Sequence, residues 1–261
     1  MAKKVIAFDL DGTLAPSKST LPDRMAEALG GLLDYFHVCV ISGGKFDQFK
    51  LQLIDNLHVP PHKLERLHIM PTCGTQYYTY NVASHDWEQV YAEDFTSEEK
   101  DKIIAALEEA VDVFGYRPKK LYGEMIEDRG SQVTYSALGQ DVVAELGDKG
   151  VELKESWDPD NTKKLNLQRY LSEKLPDFEV RAGGATSIDV TKPGIDKAYG
   201  MQKLMTMLEV GEEDILFLGD KLQEGGNDYP VKAMGIDSLE VSRWEDTALV
   251  LEGILHITAE L

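Results

Sequence analysis

The chain is predicted to be α/β: a doubly wound parallel sheet interrupted by an inserted α+β segment. Three observations carry this reading. Near both ends, short apolar runs that stop in polar or glycine-rich turns alternate with stretches of helical periodicity. The middle of the chain instead runs helix, paired strands, helix, paired strands. A length of 261 residues accommodates one large α/β domain or two smaller ones.

Each element has a local reason. Val5-Ile6-Ala7-Phe8 is an apolar run closed by Asp9-Leu10-Asp11-Gly12-Thr13, which reads as a buried strand and its turn. Pro22 opens a helical stretch to Phe36, with Met25, Leu29, Leu32 and Phe36 on one face. His37 to Ile41 reads as a second strand ending in Ser42-Gly43-Gly44, before a helix that carries Phe46, Phe49, Leu53 and Leu57. Tyr77 to Tyr80 suggests a hairpin arm. Thr96-Ser97-Glu98-Glu99 is a capping box that opens a helix with Ile103, Leu107, Val111 and Phe114 inward, stopped by Gly115. Two strands, Glu124 to Asp128 and Gln132 to Ala137, join through Arg129-Gly130, and a helix spans Thr162 to Lys174. Phe178 to Arg181 and Thr186 to Val190 form a second strand pair around Gly183-Gly184. The alternating style resumes with a helix from Ile195 to Leu208, a strand Ile215 to Leu218 leading to Gly219-Asp220, and a closing strand and helix. The inserted domain is therefore placed at 85–185, leaving 1–84 and 186–261 as the core domain.

Composition narrows the partners. The 46 acidic against 27 basic residues give a formal charge of −19, with no basic stripe to neutralise a phosphate backbone, so neither nucleic acid nor an anionic membrane is expected as a partner. No apolar stretch is long enough to cross a bilayer, and Met1-Ala2-Lys3-Lys4 runs into a strand with no secretory segment. Cys39 and Cys73 make no disulfide framework and read as buried reduced thiols, so a cytoplasmic setting is expected. The six histidines, His37, His58, His62, His68, His85 and His256, show no metal-ligand spacing and read as structural or surface residues.

The chemistry sits at the first strand. Two carboxylates two residues apart on extended backbone point to the same side. Paired acids at the end of a buried strand, followed by glycine and a hydroxyl, suit metal-assisted chemistry at phosphate with one carboxylate as nucleophile. Open α/β sheets bind ligands at the carboxyl ends of their strands, where Asp9 and Ser42 both fall. An EF-hand is excluded, because Asp9 to Gly12 lacks the third acid and the terminal Glu. Gly43-Gly44-Lys45 lacks the leading Gly and trailing hydroxyl of a P-loop. Taken singly, Ser42 is a helix-capping hydroxyl, Lys197 a solvated helix residue, and Gly225-Gly226-Asn227-Asp228 a turn.

Asp9-Leu10-Asp11-Gly12-Thr13, Ser42, Lys197, and Gly219-Asp220 with Asp228 occur together in one order. This set resembles the haloacid dehalogenase superfamily of phosphotransferases, over about Met1 to Ser84 and Thr186 to Leu261. The insertion between the Ser and Lys motifs resembles its capped subclass IIB. The greatest likeness is to eukaryotic-type phosphomannomutases, through Ser42-Gly43-Gly44 with Asp47-Gln48-Phe49, Ser187-Ile188-Asp189-Val190, Gly194-Ile195-Asp196-Lys197, Gly219-Asp220-Lys221 and Gly225-Gly226-Asn227-Asp228. The resemblance implies a Rossmann-like core with an α+β cap. It implies Asp9 as the nucleophile that becomes an aspartyl-phosphate, and Asp11 as general acid/base. It implies Mg²⁺ on Asp9, Asp220 and the Asp11 carbonyl, with Asp228 holding a metal-bound water or orienting Lys197. Thr13, Ser42, Gly43 and Lys197 are implied to hold phosphoryl oxygens, with Lys197 counted among the catalytic residues. In the cap, Arg129, Gln140, Ser187 and Asp189 are the implied substrate contacts.

One departure bears on the reaction. The mutases place a second phosphate-binding arginine in the segment that here reads Ser136-Ala137-Leu138-Gly139-Gln140, and Lys18 stands near a core position where they use arginine. An amide offers neither the charge nor the bidentate fork of arginine. The expectation is a Mg²⁺-dependent sugar-phosphate phosphatase, with a hexose-phosphate mutase as the alternative. A non-enzymatic phospho-receiver is the alternative from another class, although receivers are shorter, lack a cap and do not carry the acceptor on the first strand. The expected partner is a small phosphorylated substrate; a homodimer is left open.

Overall fold

The computed structural model describes residues 3–259; Met1 and Ala2, part of the start read above, lie outside them. The chain divides into two compact units, Met1–Ala92 with Asp196–Leu261, and Glu93–Ile195. In chain order the elements are β1 (Val5–Phe8), α1 (Asp23–Leu32), β2 (His37–Ile41), α2 (Phe46–Gln52), α3 (Pro61–Leu64), β3 (Leu67–Met70), β4 (Gln76–Asn81), β5 (Asp86–Ala92), α4 (Ser97–Phe114), β6 (Ile126–Asp128), β7 (Gln132–Ser136), α5 (Val142–Leu146), α6 (Asp148–Trp157), α7 (Thr162–Lys174), β8 (Glu179–Ala182), β9 (Ser187–Thr191), α8 (Lys197–Leu208), β10 (Ile215–Gly219), α9 (Tyr229–Ala233), β11 (Asp237–Glu240) and α10 (Trp244–Thr258).

The first unit holds a seven-stranded sheet in the order β11-β10-β1-β2-β3-β4-β5. The five strands from β11 to β3 are parallel, and β4 and β5 add an antiparallel edge. Strand residues alternate between two separate cores, which is what a sheet covered on both faces requires. Ile6, Phe8, Val38 and Val40 pack with Met25 and Leu29 of α1, Phe49 of α2 and Leu251 of α10. Val5, Ala7, Cys39 and Ile41 pack with Met201, Leu204 and Met205 of α8 and Val231 of α9.

The second unit is a four-stranded antiparallel sheet, β6-β7-β9-β8. Val133, Tyr135, Ile188 and Val190 pack on Ile103 and Leu107 of α4 and Leu167 and Leu171 of α7. Thr96 accepts from the Glu99 backbone at 3.2 Å while the Glu99 side chain accepts from Thr96 N at 2.7 Å, so the capping box forms as read. Gly115 closes that helix at φ +67°, a left-handed conformation suited to glycine.

The domain boundaries differ from the expected 85–185. Strand β5 pairs with β4 and belongs to the seven-stranded sheet, so the first unit runs on to Ala92. Strand β9 pairs with β7 and β8, so the second unit keeps the chain to Ile195. Two helices also end early. The first stops at Leu32, and α2 stops at Gln52, where Asn56 Nδ2 donates to the Leu51 and Gln52 carbonyls at 2.8 and 3.1 Å. Cys39 and Cys73 are free thiols; Cys39 is buried but Cys73 is only half-buried. Among the described residues no helix is long and apolar enough to cross a membrane.

Within this sheet the half-buried His37 and the buried His68 form a chain. His37 Nδ1 and His68 Nε2 lie 2.9 Å apart, and His68 Nδ1 lies 2.8 Å from the Tyr77 hydroxyl. One proton serves the contact between the two rings, so they cannot both become cations there. Burial pushes His68 down to about 3, with His37 adding to the effect, and burial and Arg66 lower His37 as well. An unfolded histidine takes a proton below about pH 6.5 while native His68 refuses it until about pH 3. The unfolded state therefore binds more protons in that window, and stability falls as pH falls through it. The His68 contribution is at most about 1.4 kcal/mol per pH unit. Urea unfolding at pH 7.5, 6.0 and 5.0 should show a steeper loss in wild type than in His68→Gln. Parallel pH profiles in the two proteins would contradict this.

Candidate active site

Parallel register builds the site. Phe8 pairs with Val40 on one side and with Leu218 on the other, so the chain leaves β1, β2 and β10 at one edge of the sheet. Asp9, Ser42 and Asp220 are the residues found there. Asp9 still donates its backbone N–H to Leu218 O at 3.0 Å, which fixes its Cα in the ladder.

Lys197 is the first residue of α8. Asp196 caps that helix by accepting from Tyr199 N at 3.0 Å. The Lys197 ammonium donates to Asp9 Oδ1 at 2.5 Å and to Asp228 Oδ1 at 2.6 Å, and all three side chains are at most 5% exposed. Asp228 Oδ2 accepts from Lys221 N at 3.0 Å. Burial pushes the Asp9 carboxyl up to about 7 against the pull of Lys197, and the neighbouring Asp228 and Asp11 charges add to the rise. Burial likewise raises Asp220. For Lys197, burial alone would favour the neutral amine, but the Asp9 and Asp228 carboxylates hold its ammonium above the ordinary lysine range.

Carboxylate oxygens of Asp9, Asp220 and Asp228 lie within 4.8 Å of one another. Two ammoniums, Lys197 and the half-exposed Lys221 3.6 Å from Asp220 Oδ2, do not balance three carboxylates, and Asp220 Oδ1 is buried with no hydrogen-bond partner. The donor set is all hard oxygen, which suits a small divalent cation. The cluster can therefore hold one. Gly12 makes room for it: at φ +89°, a Cβ there would stand 2.7 Å from Asp220 Oδ2. Thr13 is fully buried and its hydroxyl has no partner.

The Asp11 carboxylate is not part of that cluster. Gln48 Nε2 and Gln52 Nε2 donate to it at 3.0 and 3.2 Å, and the Lys18 backbone N–H at 2.6 Å. Gln48 and Gln52 are one helical turn apart on α2. Gln52 is buried beside Phe49 and Leu53, and an amide in an apolar stripe was the available signal that the helix serves a polar neighbour. Lys18 reaches Asp11 with its backbone, at φ +54°.

The segment around Cys73 reads as turn-like in the sequence, but what that turn after β3 holds was not foreseen. Thr72 and Cys73 are left-handed, at φ +48° and +57°, which is strained for a β-branched residue. Thr72 N donates to Gly44 O at 3.0 Å and Cys73 N to Ser42 O at 3.0 Å, so the turn holds the Ser42-Gly43-Gly44 loop by its backbone. The next residue, Gly74, touches the Lys197 helix: a Cβ on Gly74 would lie 2.3 Å from Gly200 Cα. One strained turn thus steadies two expected phosphate-holding elements.

In the second unit, Arg129 Nε donates to Glu127 Oε2 at 2.7 Å and Arg129 Nη2 to Gln140 Oε1 at 3.3 Å. Asp189 Oδ1 accepts from Gln132 Nε2 at 3.0 Å and Thr134 Oγ1 at 2.7 Å. Ser187 faces Ser136 across the β7–β9 ladder. Arg129 and Gln140 are therefore brought together, and Ser187 and Asp189 stand on one strand of the same sheet.

A family model for haloacid dehalogenase-like hydrolases matches residues 6–230, spanning every element of this site. The chain belongs to that family. Among curated relatives of this haloacid dehalogenase-like hydrolase, the phosphomannomutase of Encephalitozoon cuniculi is 26% identical over 251 residues, covering 94% of this chain and 91% of the relative. The phosphomannomutase of Saccharomyces cerevisiae is 25% identical over 232 residues, covering 87% and 84%. Among solved structures, the IMP-bound IMP-nucleotidase of Plasmodium falciparum superposes with a TM-score of 0.67 at 16% identity, covering 98% of this chain and 68% of that one. A haloacid dehalogenase-like hydrolase from Bacteroides thetaiotaomicron superposes at 0.64 with 16% identity, covering 97% and 99%. These structures share the fold, an α/β core with an added cap.

Proposed function

We propose that the protein is a Mg²⁺-dependent phosphatase of sugar phosphates that works through an aspartyl-phosphate. The observation that carries this reading is the buried Lys197 bridging Asp9 and Asp228, with Asp220 alongside. A lysine held between two buried carboxylates is a costly arrangement for structure alone.

Mg²⁺ held by Asp9, Asp220, Asp228 and the Asp11 carbonyl would neutralise charge, letting an anionic carboxylate and a phosphate approach. The steps belong to the chain's own residues. An Asp9 oxygen forms the new bond to phosphorus as the bond from phosphorus to the sugar oxygen breaks, and Asp11 gives that oxygen its proton. Asp11 then takes a proton from the water that attacks phosphorus, the acyl-phosphate bond breaks, and inorganic phosphate leaves with Asp9 regenerated. Lys197, Thr13, Ser42 and the Gly43 backbone hold the phosphoryl oxygens as charge builds on them. The unpartnered Thr13 hydroxyl supports its part in this. Residues Arg129, Gln140, Ser187 and Asp189 would contact the remainder of the substrate.

A hexose-phosphate mutase is the second reading, favoured by the names of the curated relatives. It needs the sugar retained while it turns to present its other hydroxyl. Gln140 weighs against that, since it offers Arg129 a neutral amide oxygen where the mutases place a second arginine. The phospho-receiver reading loses its footing in a chain that belongs to a hydrolase family and carries a second unit.

The test is a panel of hexose phosphates assayed in the same tubes for free phosphate and for isomerised product. Wild type should release phosphate and isomerise slowly or not at all. Gln140→Arg would set two guanidinium groups together, an arrangement that favours an anion between them. A charge-assisted contact of ~1.5–3 kcal/mol lengthens residence about ten- to hundredfold, so the variant should raise the ratio of isomerised to hydrolysed product. Isomerisation by the unmodified protein much faster than hydrolysis would establish the mutase instead.

A further inference from the structure

Helix α2 follows the Ser42-Gly43-Gly44 loop directly after Lys45. It is anchored by Phe49, fully buried in the core with Leu53 just past the helix end. Gln48 and Gln52 lie one turn apart on this helix, so their side chains share a face. Every amide proton of the pair has an acceptor. Gln48 Nε2 donates to Asp11 Oδ2 at 3.0 Å and to Gln52 Oε1 at 2.7 Å. Gln52 Nε2 donates to Asp11 Oδ1 at 3.2 Å and to Ser19 O at 2.9 Å. The Lys18 backbone N–H adds a third donor, 2.6 Å from Asp11 Oδ1. Gly44 keeps the path open, because a Cβ there would stand 2.2 Å from Gln48 Oε1. Both oxygens of the Asp11 carboxyl are held, which fixes the plane of the group.

Tethering the helix does not call for this network. Phe49 already anchors α2, and an amide as buried as Gln52 (4% exposed) is costly except for the bonds it makes. A general acid, by contrast, must sit within hydrogen-bond reach of the oxygen it protonates. Misplacing a reacting group by about 1 Å can cost about 10²-fold in rate. We infer that Gln48 and Gln52 are positioning residues for the acid step, holding the Asp11 carboxyl where its proton meets the leaving oxygen. The inference rests on the phosphatase reading and adds to it the step at which the pair acts. In that step an Asp9 oxygen bonds to phosphorus, the bond from phosphorus to the leaving oxygen breaks, and the Asp11 proton passes to that oxygen. A sugar alkoxide or a phenolate is a poor leaving group without the proton. A p-nitrophenolate leaves as a stable anion and does not need it. The contribution of the glutamine pair should therefore grow with the basicity of the leaving group.

The experiment follows the first turnover by rapid quench, with Mg²⁺, on p-nitrophenyl phosphate, phenyl phosphate and glucose 6-phosphate. It compares wild type with Gln48→Met, Gln52→Met and the double variant, each checked for fold by circular dichroism and melting. Methionine keeps the length of glutamine and removes its donors. Gln48→Met should slow departure of phenol and glucose about 10²-fold more than departure of p-nitrophenolate. The loss should lie in the rate constant and not in the half-saturating concentration. Since both amides hold one carboxyl, the double variant should lose less than the two single variants combined. Equal losses on all three compounds in the folded variants are what a merely structural role gives. That result, or wild-type rates on all three, would overturn the inference and leave the phosphatase reading intact. The two aryl phosphates decide the matter even where glucose 6-phosphate is not a substrate. Should Gln48→Met fail to fold, Gln52→Met decides by the same comparison. Wild type that acts on none of the three compounds would remove the phosphatase reading and this inference with it.

Discussion

Asp9→Asn is expected to lose turnover by roughly 10⁴-fold or more, the scale seen when a covalent nucleophile is removed, while the protein stays folded. The amide has no charge with which to attack phosphorus and is a poor ligand for a hard cation. It can still accept from Lys197 through its oxygen, and Lys197 keeps its second partner, Asp228, at 2.6 Å. Since burial opposes ionisation of Asp9, losing the charge should leave the melting temperature of the metal-free protein level with wild type or above it. Chelation by EDTA should stop the wild type, and added Mg²⁺ should restore it. Phosphate release that survives in Asp9→Asn would remove Asp9 from the nucleophile's role.

Lys197→Met should be damaging in a different way. The substitution keeps much of the volume but deletes the one ammonium that lies between Asp9 and Asp228. Two carboxylates, each at most 5% exposed, would then face one another without a counter-charge. Removing one partner of a buried ion pair costs about 3–5 kcal/mol, because the abandoned charge remains in a poor solvent. Activity and stability should therefore fall together, unlike in Asp9→Asn. Mg²⁺ should recover part of the stability, since a cation among Asp9, Asp220 and Asp228 replaces the lost charge. Equal melting temperatures for wild type and Lys197→Met in EDTA would show that the triad carries no structural load.

The contrast between these variants follows from what a sequence can and cannot carry. Asp9 was legible because the apolar run of β1 ends on it, whereas Asp220 and Lys197 stood out only through the family resemblance, Lys197 by itself reading as a solvated helix residue. Helix α7 was read at Thr162–Lys174 and formed there, and β2 at His37–Ile41 did likewise. Strand β3 was not legible, since His68 interrupts a four-residue run that is buried along its whole length. Helices α5 and α6 were not, because Gly147 and Gly150 break the pattern and α6 buries only Gly150. The hold of Gln48 and Gln52 on Asp11 depends on a contact some 40 residues away in sequence, which no local spacing encodes. The domain limits failed for a related reason. Which sheet a strand joins is decided by pairing partners: β5 was not read as a strand, and β9, although read as the partner of β8, was left outside the insertion.

The meeting of Gly74 with Gly200 constrains how this chain can diverge. A methyl on Gly200 would stand 2.4 Å from Ile41 Cδ1 and 2.6 Å from Cys73 O, and one on Gly74 would strike Gly200 itself. Neither position has a tolerated single step to alanine, so the two are locked by each other through any sequence drift. The outer face of the same helix, at Gln202 and Thr206, is exposed and carries no such lock. A combinatorial library built on this scaffold would accordingly leave Gly74 and Gly200 untouched and spend its diversity a turn away, where the helix can change without moving its first residue.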